Sequence, residues 1–110
     1  MAKTSKNLAL GQLASTTLTT IYTAPAGINT SISVLGFTNT TSTSIEIDIY
    51  HNDGSTDYLK RTMTLPGGAG RERVYYGFQR RVINAADSIK IQADSASAFN
   101  YDVNGSENEL

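Results

Sequence analysis

The chain has 110 residues, a formal net charge of −1 and no cysteine, and 17% of its residues are charged. This length suffices for one domain with a real core, and the lack of cysteine excludes a disulfide framework, a thiolate metal site and a cysteine nucleophile. The sequence also has no apolar run suited to a signal peptide or long enough to cross a bilayer, so we expect a soluble protein made inside the cell.

The N-terminal part of the chain is polar and rich in threonine. Residues 1–7 are predicted to form an arm that is either flexible or ordered by a partner. A first strand can begin at Leu8, and a stronger strand is predicted at residues 17–23. The Ala-Pro-Ala-Gly sequence at residues 24–27 then predicts a turn.

Two alternating apolar runs form the centre of the sequence. In the first, Ile28, Ile32 and Val34 share one parity, and in the second, isoleucine occupies positions 45, 47 and 49. A two-residue repeat places such side chains on one face of a strand. We therefore predict two strands, separated by a Thr/Ser/Asn turn, in the middle of one antiparallel sheet.

The second half of the chain alternates strand and turn signals. Asn-Asp-Gly-Ser at residues 52–55 predicts a hairpin, followed by a strand at 57–65 with Leu59, Arg61, Met63 and Leu65 on one parity. A Pro/Gly-rich loop spans residues 66–70, and further strands are predicted at 71–76, 78–83, 88–93 and 99–103.

Roughly eight short strands with regularly spaced turns predict an all-β fold. We predict a single antiparallel β-sandwich, jelly-roll-like, that covers residues 8–105. Residues 106–110 are expected to form a polar C-terminal tail.

Catalytic and metal-binding patterns are weak. His51 is the one histidine, so a Ser-His-Asp relay would have to use it, but its place at the mouth of a hairpin favours a structural or incidental role. Asp48, Asp53 and Asp57 crowd the same hairpin without the spacing of a calcium loop. We predict no catalytic residue, no metal site, no cofactor and no enzymatic activity.

Basic residues are concentrated between positions 60 and 81, where aromatic residues are interleaved with them. Arginine and aromatic side chains suit both nucleic-acid and protein interfaces, and the negative overall charge favours a protein partner. A Thr-, Ser- and Asn-rich surface leaves glycan binding as a further alternative. The candidate partner-binding residues are Lys3, Lys6, Arg71, Arg73, Tyr75, Tyr76, Phe78, Arg80 and Arg81.

Three stretches carry a resemblance to a family: LALGQLASTTLTTIYTAPAG, ISVLGFTNTTSTSIEIDIYH and INAADSIKIQADSASAFNYDVNGSE. They are similar to small all-β virion proteins of tailed bacteriophages. The chain departs from the family pattern at Ala86, where glycine is common. The shared motifs are turn and strand patterns, and the resemblance identifies no catalytic residue.

The resemblance implies a structural role on the phage particle, as a capsid decoration (cement) protein or as a tail- or fibre-associated module that binds a host receptor or glycan. The compact domain and the lack of a fibre shaft favour the capsid. The implied partners are the major capsid protein or other virion proteins and further copies of the chain, with a trimer favoured, and neither nucleic acid nor membrane. The implied location is the virion, after synthesis in the bacterial cytoplasm.

Overall fold

The computed structural model describes residues 3–68, 71–75, 82–95 and 99–109. These residues form nine strands and no helix. The strands are β1 (Lys3–Gln12), β2 (Thr19–Thr23), β3 (Ile28–Asn39), β4 (Ile45–Asn52), β5 (Asp57–Leu65), β6 (Arg71–Tyr75), β7 (Val82–Ile83), β8 (Ser88–Ala93) and β9 (Phe99–Glu109). Within the described part of the chain, no helix has the length and apolar character needed to span a membrane.

The strands form two antiparallel sheets. The five-stranded sheet has the order β1-β9-β3-β6, with β7 also paired to β3, and the four-stranded sheet has the order β2-β8-β4-β5. Each strand pair is antiparallel. Apart from the pairs β4–β5 and β6–β7, consecutive strands alternate between the two sheets, and the resulting strand order is that of a jelly roll. The predicted all-β, jelly-roll-like sandwich is confirmed.

The core fills the space between the two sheets. Alternate residues of β4 from position 45 to 49 are buried isoleucines, and β8 adds Ile89 and Ile91. The five-stranded sheet contributes Phe37 and Phe99, whose ring centroids are 6.1 Å apart at an interplanar angle of 65°. Full burial of one such side chain stabilises the fold by about 1.5–3 kcal/mol.

The two central strands are not neighbours, contrary to the prediction. β3 pairs with β9, β6 and β7, whereas β4 pairs with β5 and β8 in the other sheet. The segment between them therefore connects the two layers of the sandwich. An alternating pattern specifies which face of a strand is buried, but both sheets of a sandwich bury one face, so it does not specify the neighbouring strand.

A β-bulge changes the buried face of β3. The register with β9 shifts between Ile32 and Val34, which leaves Ser33 as the extra residue. Ile32 is buried before the shift and Leu35 after it, while Val34 is only half-buried. The parity predicted for Ile28, Ile32 and Val34 therefore ends at the bulge, because the extra residue moves the following side chains to the opposite face.

Both chain ends extend further into the fold than the predicted arm and tail. Residues 3–7 belong to β1 and residues 106–109 belong to β9, where Lys3 pairs with Asn108. A sheet ladder uses backbone groups, which a polar segment offers as well as an apolar one. The polar composition of the two segments thus does not prevent strand pairing.

A buried tyrosine ties the C-terminal strand to the opposite sheet. The Tyr22 hydroxyl of β2 donates to Glu107 Oε2 of β9 at 2.7 Å, and it lies 2.7 Å from Thr30 Oγ1 of β3. Thr30 is fully buried. Burial of the phenol raises the pKa of Tyr22 to about 12, so the hydroxyl stays protonated as a donor up to high pH.

Ala86 offers a test of the turn between β7 and β8. Its φ of 72° is in the left-handed region, while its backbone N–H donates to the Ala24 carbonyl at 2.9 Å. An alanine in the left-handed region destabilises the folded state by about 1–2 kcal/mol relative to glycine. Glycine offsets part of this advantage because it loses more conformational freedom on folding. Ala86→Gly should therefore stabilise the protein by about 0.5–1 kcal/mol, measured as a rise in the urea midpoint.

Ala85→Gly is the matched control, because Ala85 lies in the same turn and is not among the residues with positive φ. It should leave stability unchanged or lower it. Equal midpoints for the two variants would contradict a conformational cost at Ala86.

Candidate interaction surface

β5 is exposed along most of its length. Its six residues from Asp57 to Thr62 are exposed, and only Leu65 at its end is fully buried. Tyr58 retains 49% of its accessible surface and Leu59 retains 56%. β5 is the last strand of the four-stranded sheet in the described part of the chain, so β4 covers one side of it and its other side is open.

A β-bulge at Lys60 turns Leu59 away from the core. The register between β4 and β5 runs from Ile49 opposite Arg61 to Tyr50 opposite Leu59, which leaves Lys60 as the extra residue. Leu59 therefore faces outward beside Tyr50. The sequence pattern placed Leu59 on the face of Met63, and that prediction is wrong because the bulge reverses the parity.

β6 adds to the same edge of the sandwich. β5 and β6 contact each other where the two sheets end, and β6 contributes Arg73 and Val74, both exposed. We call this edge of the sandwich the β5–β6 surface. Its exposed residues are Tyr58, Leu59, Lys60, Arg61, Arg73 and Val74, of which Leu59 faces outward from the four-stranded sheet and Val74 faces outward from the five-stranded sheet. Aromatic, aliphatic and arginine side chains exposed together are typical of the centre of protein interfaces.

The exposed apolar side chains do not form one continuous patch. Of the four large hydrophobic residues that are exposed in the described part of the chain, Tyr58 and Leu59 lie on β5, Val74 lies on β6 and Leu10 lies on β1. Leu10 and Val74 occupy one row across the five-stranded sheet, with Asp102 and Gly36 between them. Leu10 and Val74 therefore share the outer face of the five-stranded sheet, which is the side of the sandwich opposite to Leu59.

The structure divides the candidate residues predicted from the sequence. Lys3 and Lys6 lie on β1 at one edge of the five-stranded sheet, and Arg71, Arg73 and Tyr75 lie on β6 at the other. β9 and β3 lie between these two groups of residues. Tyr76, Phe78, Arg80 and Arg81 lie outside the described residues. Tyr58 and Leu59 were not among the residues predicted from the sequence, although they directly precede Lys60 and Arg61.

A shallow acidic groove lies on the outer face of the four-stranded sheet. Its volume is about 290 Å³, and it is lined by Glu46, Asp48, Gln92, Ala93 and Asp94. Asp48 accepts a hydrogen bond from the Thr62 hydroxyl at 2.6 Å, and Asp94 Oδ1 accepts one from the Glu46 backbone N–H at 3.2 Å. Glu46 and Asp94 are exposed. The groove therefore presents carboxylates to the surroundings.

The residues of the predicted hairpin have local partners. The backbone N–H groups of Thr56 and Ser55 bond to Asp53 and hold the pKa of that carboxyl below its usual range. The Asn52 side chain, together with Lys90 at 3.2 Å, lowers the pKa of Asp57. These contacts give Asp53 a structural role in the turn and Asp57 a structural role at the start of β5.

His51 joins the end of β4 to the turn before β8. Its Nε2 lies 3.0 Å from Asp87 Oδ2, and both side chains are largely buried. The Asp87 carbonyl accepts the Ala24 N–H at 2.9 Å, so the turn is held from two sides. This arrangement supports the structural interpretation of His51. Across the described residues, no group of three or more His, Cys, Asp or Glu side chains is placed to hold a metal ion.

Comparison with solved structures shows that the chain shares its fold with known proteins. No protein-family model and no curated protein matches the chain. Among solved structures, the chain is similar to a protein of Bacillus endospore appendages, described as disulfide-linked pili, with a TM-score of 0.55 and 14% identity over 98% of this chain and 88% of that one. This chain has no cysteine and therefore cannot form such a disulfide link.

Viral proteins are also among the structural neighbours. A protein of the T13 particle of infectious bursal disease virus, IBDV, matches with a TM-score of 0.48 and 9% identity, over 96% of this chain and 30% of that one. A capsid protein of the Helicobacter pylori bacteriophage KHP30 matches with a TM-score of 0.39 and 7% identity, over 96% and 92% of the two chains. At these identities the likeness is one of fold.

Proposed function

We propose that this protein is a non-enzymatic structural protein of a bacteriophage particle, and that it decorates the capsid as a cement protein. The observation that carries the proposal is the β5–β6 surface. Its exposed Tyr58 and Leu59 directly precede the exposed Lys60 and Arg61, a composition expected of a protein contact. The resemblance of the sequence to small all-β phage virion proteins supports the same role.

A decoration protein binds a lattice through many identical weak contacts. A small sandwich without cysteine can be made in large numbers in a bacterial cytoplasm and can gain avidity from symmetric copies. The partners in this proposal are the major capsid protein and further copies of the chain, with a trimer as the favoured assembly. The virion is the proposed location.

The number of copies per particle tests this function. We expect the chain to be present at roughly the copy number of the major capsid protein, on the order of hundreds per particle, because a decoration protein repeats with the lattice. Quantitative mass spectrometry of purified particles measures the ratio. Tailless heads isolated from the same preparation are the control, and they should retain the chain in full.

A different result would reject the capsid role. Roughly six to a few dozen copies, lost together with the tails, would assign the chain to the neck, tail or fibres. That outcome would favour the receptor- or glycan-binding alternative. Absence from the particle would overturn the structural role altogether.

A further inference from the structure

The charges of this chain are segregated along the sequence. Residues 60–81 contain six basic residues and one acidic residue, a net charge of +5. The rest of the chain contains three basic and nine acidic residues, a net charge of −6, which together give the total of −1. The net charge of −1 is therefore the sum of two oppositely charged parts of the sequence.

On the four-stranded sheet, the basic residues of β5 and the acidic groove are neighbours, since Asp48 of the groove accepts a hydrogen bond from Thr62, the residue after Arg61. Lys60 and Arg61 are exposed on β5, beside the exposed Tyr58 and Leu59. The acidic groove, with exposed Glu46 and Asp94, lies at the other end of the four-stranded sheet from the β4–β5 hairpin turn. A second copy that packs in the opposite direction can therefore bring its acidic groove to the basic residues of the first copy.

We propose that the β5–β6 surface of one copy binds the acidic groove of a second copy. Lys60 and Arg61 would face Glu46 and Asp94, while Leu59 and Tyr58 are withdrawn from water at the centre of the contact. The apolar side chains supply affinity, and the paired charges set the orientation of the two copies. This inference deepens the proposed function by naming one partner of the surface.

Side-chain contact fits these surfaces better than strand addition at the sheet edge. A second copy could in principle extend either sheet, because edge strands offer unpaired backbone groups. Here β5 carries the exposed Lys60 and Arg61 and β6 carries the exposed Arg73, so these edges repel each other, and β2, the other edge of the four-stranded sheet, is only five residues long. The bulge at Lys60 also interrupts the β5 ladder, and both features are known to oppose edge pairing.

Charge exchange between variants tests the contact. The doubly substituted chains K60E/R61E and E46K/D94K should each associate at least about tenfold more weakly than the wild-type chain, because each places like charges opposite one another. Sedimentation equilibrium at low salt measures the association constant. An equimolar mixture of the two variants should recover it, since each altered surface then finds an opposite charge.

A third chain controls for attraction by net charge alone. Four lysines at the exposed positions Ala14, Ala26, Asn84 and Asn100 give it the same net charge of +3 as E46K/D94K. Mixed with K60E/R61E, this chain should not restore association. Circular dichroism should show that all the variants remain folded.

Three results would overturn the inference: a wild-type chain that stays monomeric up to about 1 mM, variants that associate as well as wild type, or recovery with the control chain. The copy number in purified particles is measured independently, so loss of self-association would leave the capsid role standing.

Discussion

Replacing Asn39 by alanine should lower the free energy of unfolding by about 2–4 kcal/mol, because this side chain is fully buried and hydrogen-bonded at both ends. Its Nδ2 lies 2.9 Å from the Thr43 carbonyl oxygen, 3.1 Å from that of Pro66 and 3.3 Å from that of Leu65. Its Oδ1 accepts the backbone N–H and the hydroxyl of Thr41, both at 2.8 Å.

Loss of these hydrogen bonds should strongly destabilise the fold because of the position of Asn39. It ends β3 in the five-stranded sheet, and Leu65 ends β5 in the four-stranded sheet, so one amide joins the two layers and the segment between them. Alanine would leave the three carbonyl oxygens without this donor and the Thr41 N–H without this acceptor. The backbone of a paired strand cannot move far enough to give these groups new partners.

Urea denaturation followed by circular dichroism measures the effect. Asn39→Asp should be about as destabilising as the alanine variant, because a carboxylate still accepts from Thr41 but cannot donate to three carbonyls. Thr38→Ala, one residue earlier on the half-buried face, is the control and should change stability by less than about 1 kcal/mol. A loss below about 1 kcal/mol for Asn39→Ala would show that water replaces the amide without cost.

The parts of the fold that depend on neighbouring residues could be predicted from the sequence. The hairpin at residues 52–55 follows from its own side chains: Asn52 accepts the Gly54 N–H at 2.7 Å, and Gly54 adopts a φ of 102°. The bounds of β8, Ser88–Ala93, coincide with the predicted strand. Short-range chemistry determines both features.

The bulges could not be predicted in the same way. Ser33 and Lys60 become extra residues because of the strands that pair with them, and nothing in their own side chains requires it. Each bulge reverses the parity between the residues on its two sides, so the prediction that Leu59 shares a face with Met63 was wrong. The exposed apolar part of the β5–β6 surface is thus a consequence of strand pairing and not of local sequence.

The separation of β3 from β4 has a related cause. Strands that bury one face look alike in sequence whichever sheet they join, and the Asn39 contacts that direct the chain across the sandwich are long-range. The candidate site shows the same limit. Lys3 and Arg71 are equally plausible as basic contact residues in the sequence, and only the strand order places them at opposite edges.

The largest loss of stability that we expect from a single substitution is in the core. Phe99 is fully buried on β9, where its ring meets Phe37 edge to face at a centroid distance of 6.1 Å. Phe99→Ala should lower the free energy of unfolding by about 3–5 kcal/mol, through the lost transfer of the ring from water and the cavity left behind. Since domains of this kind are stable by about 5–15 kcal/mol, the variant should be close to the limit of folding at 37 °C.

Thermal unfolding by circular dichroism, together with urea denaturation, measures this loss. Phe99→Leu is the matched control and should cost clearly less, because leucine fills most of the space that the ring leaves. A double-mutant cycle with Phe37→Leu should then give a coupling of about 0.5–1.5 kcal/mol between the two rings. If Phe99→Ala costs no more than Phe99→Leu, the ring cannot be part of a close-packed interior between the two sheets. That result would contradict the edge-to-face contact between Phe37 and Phe99.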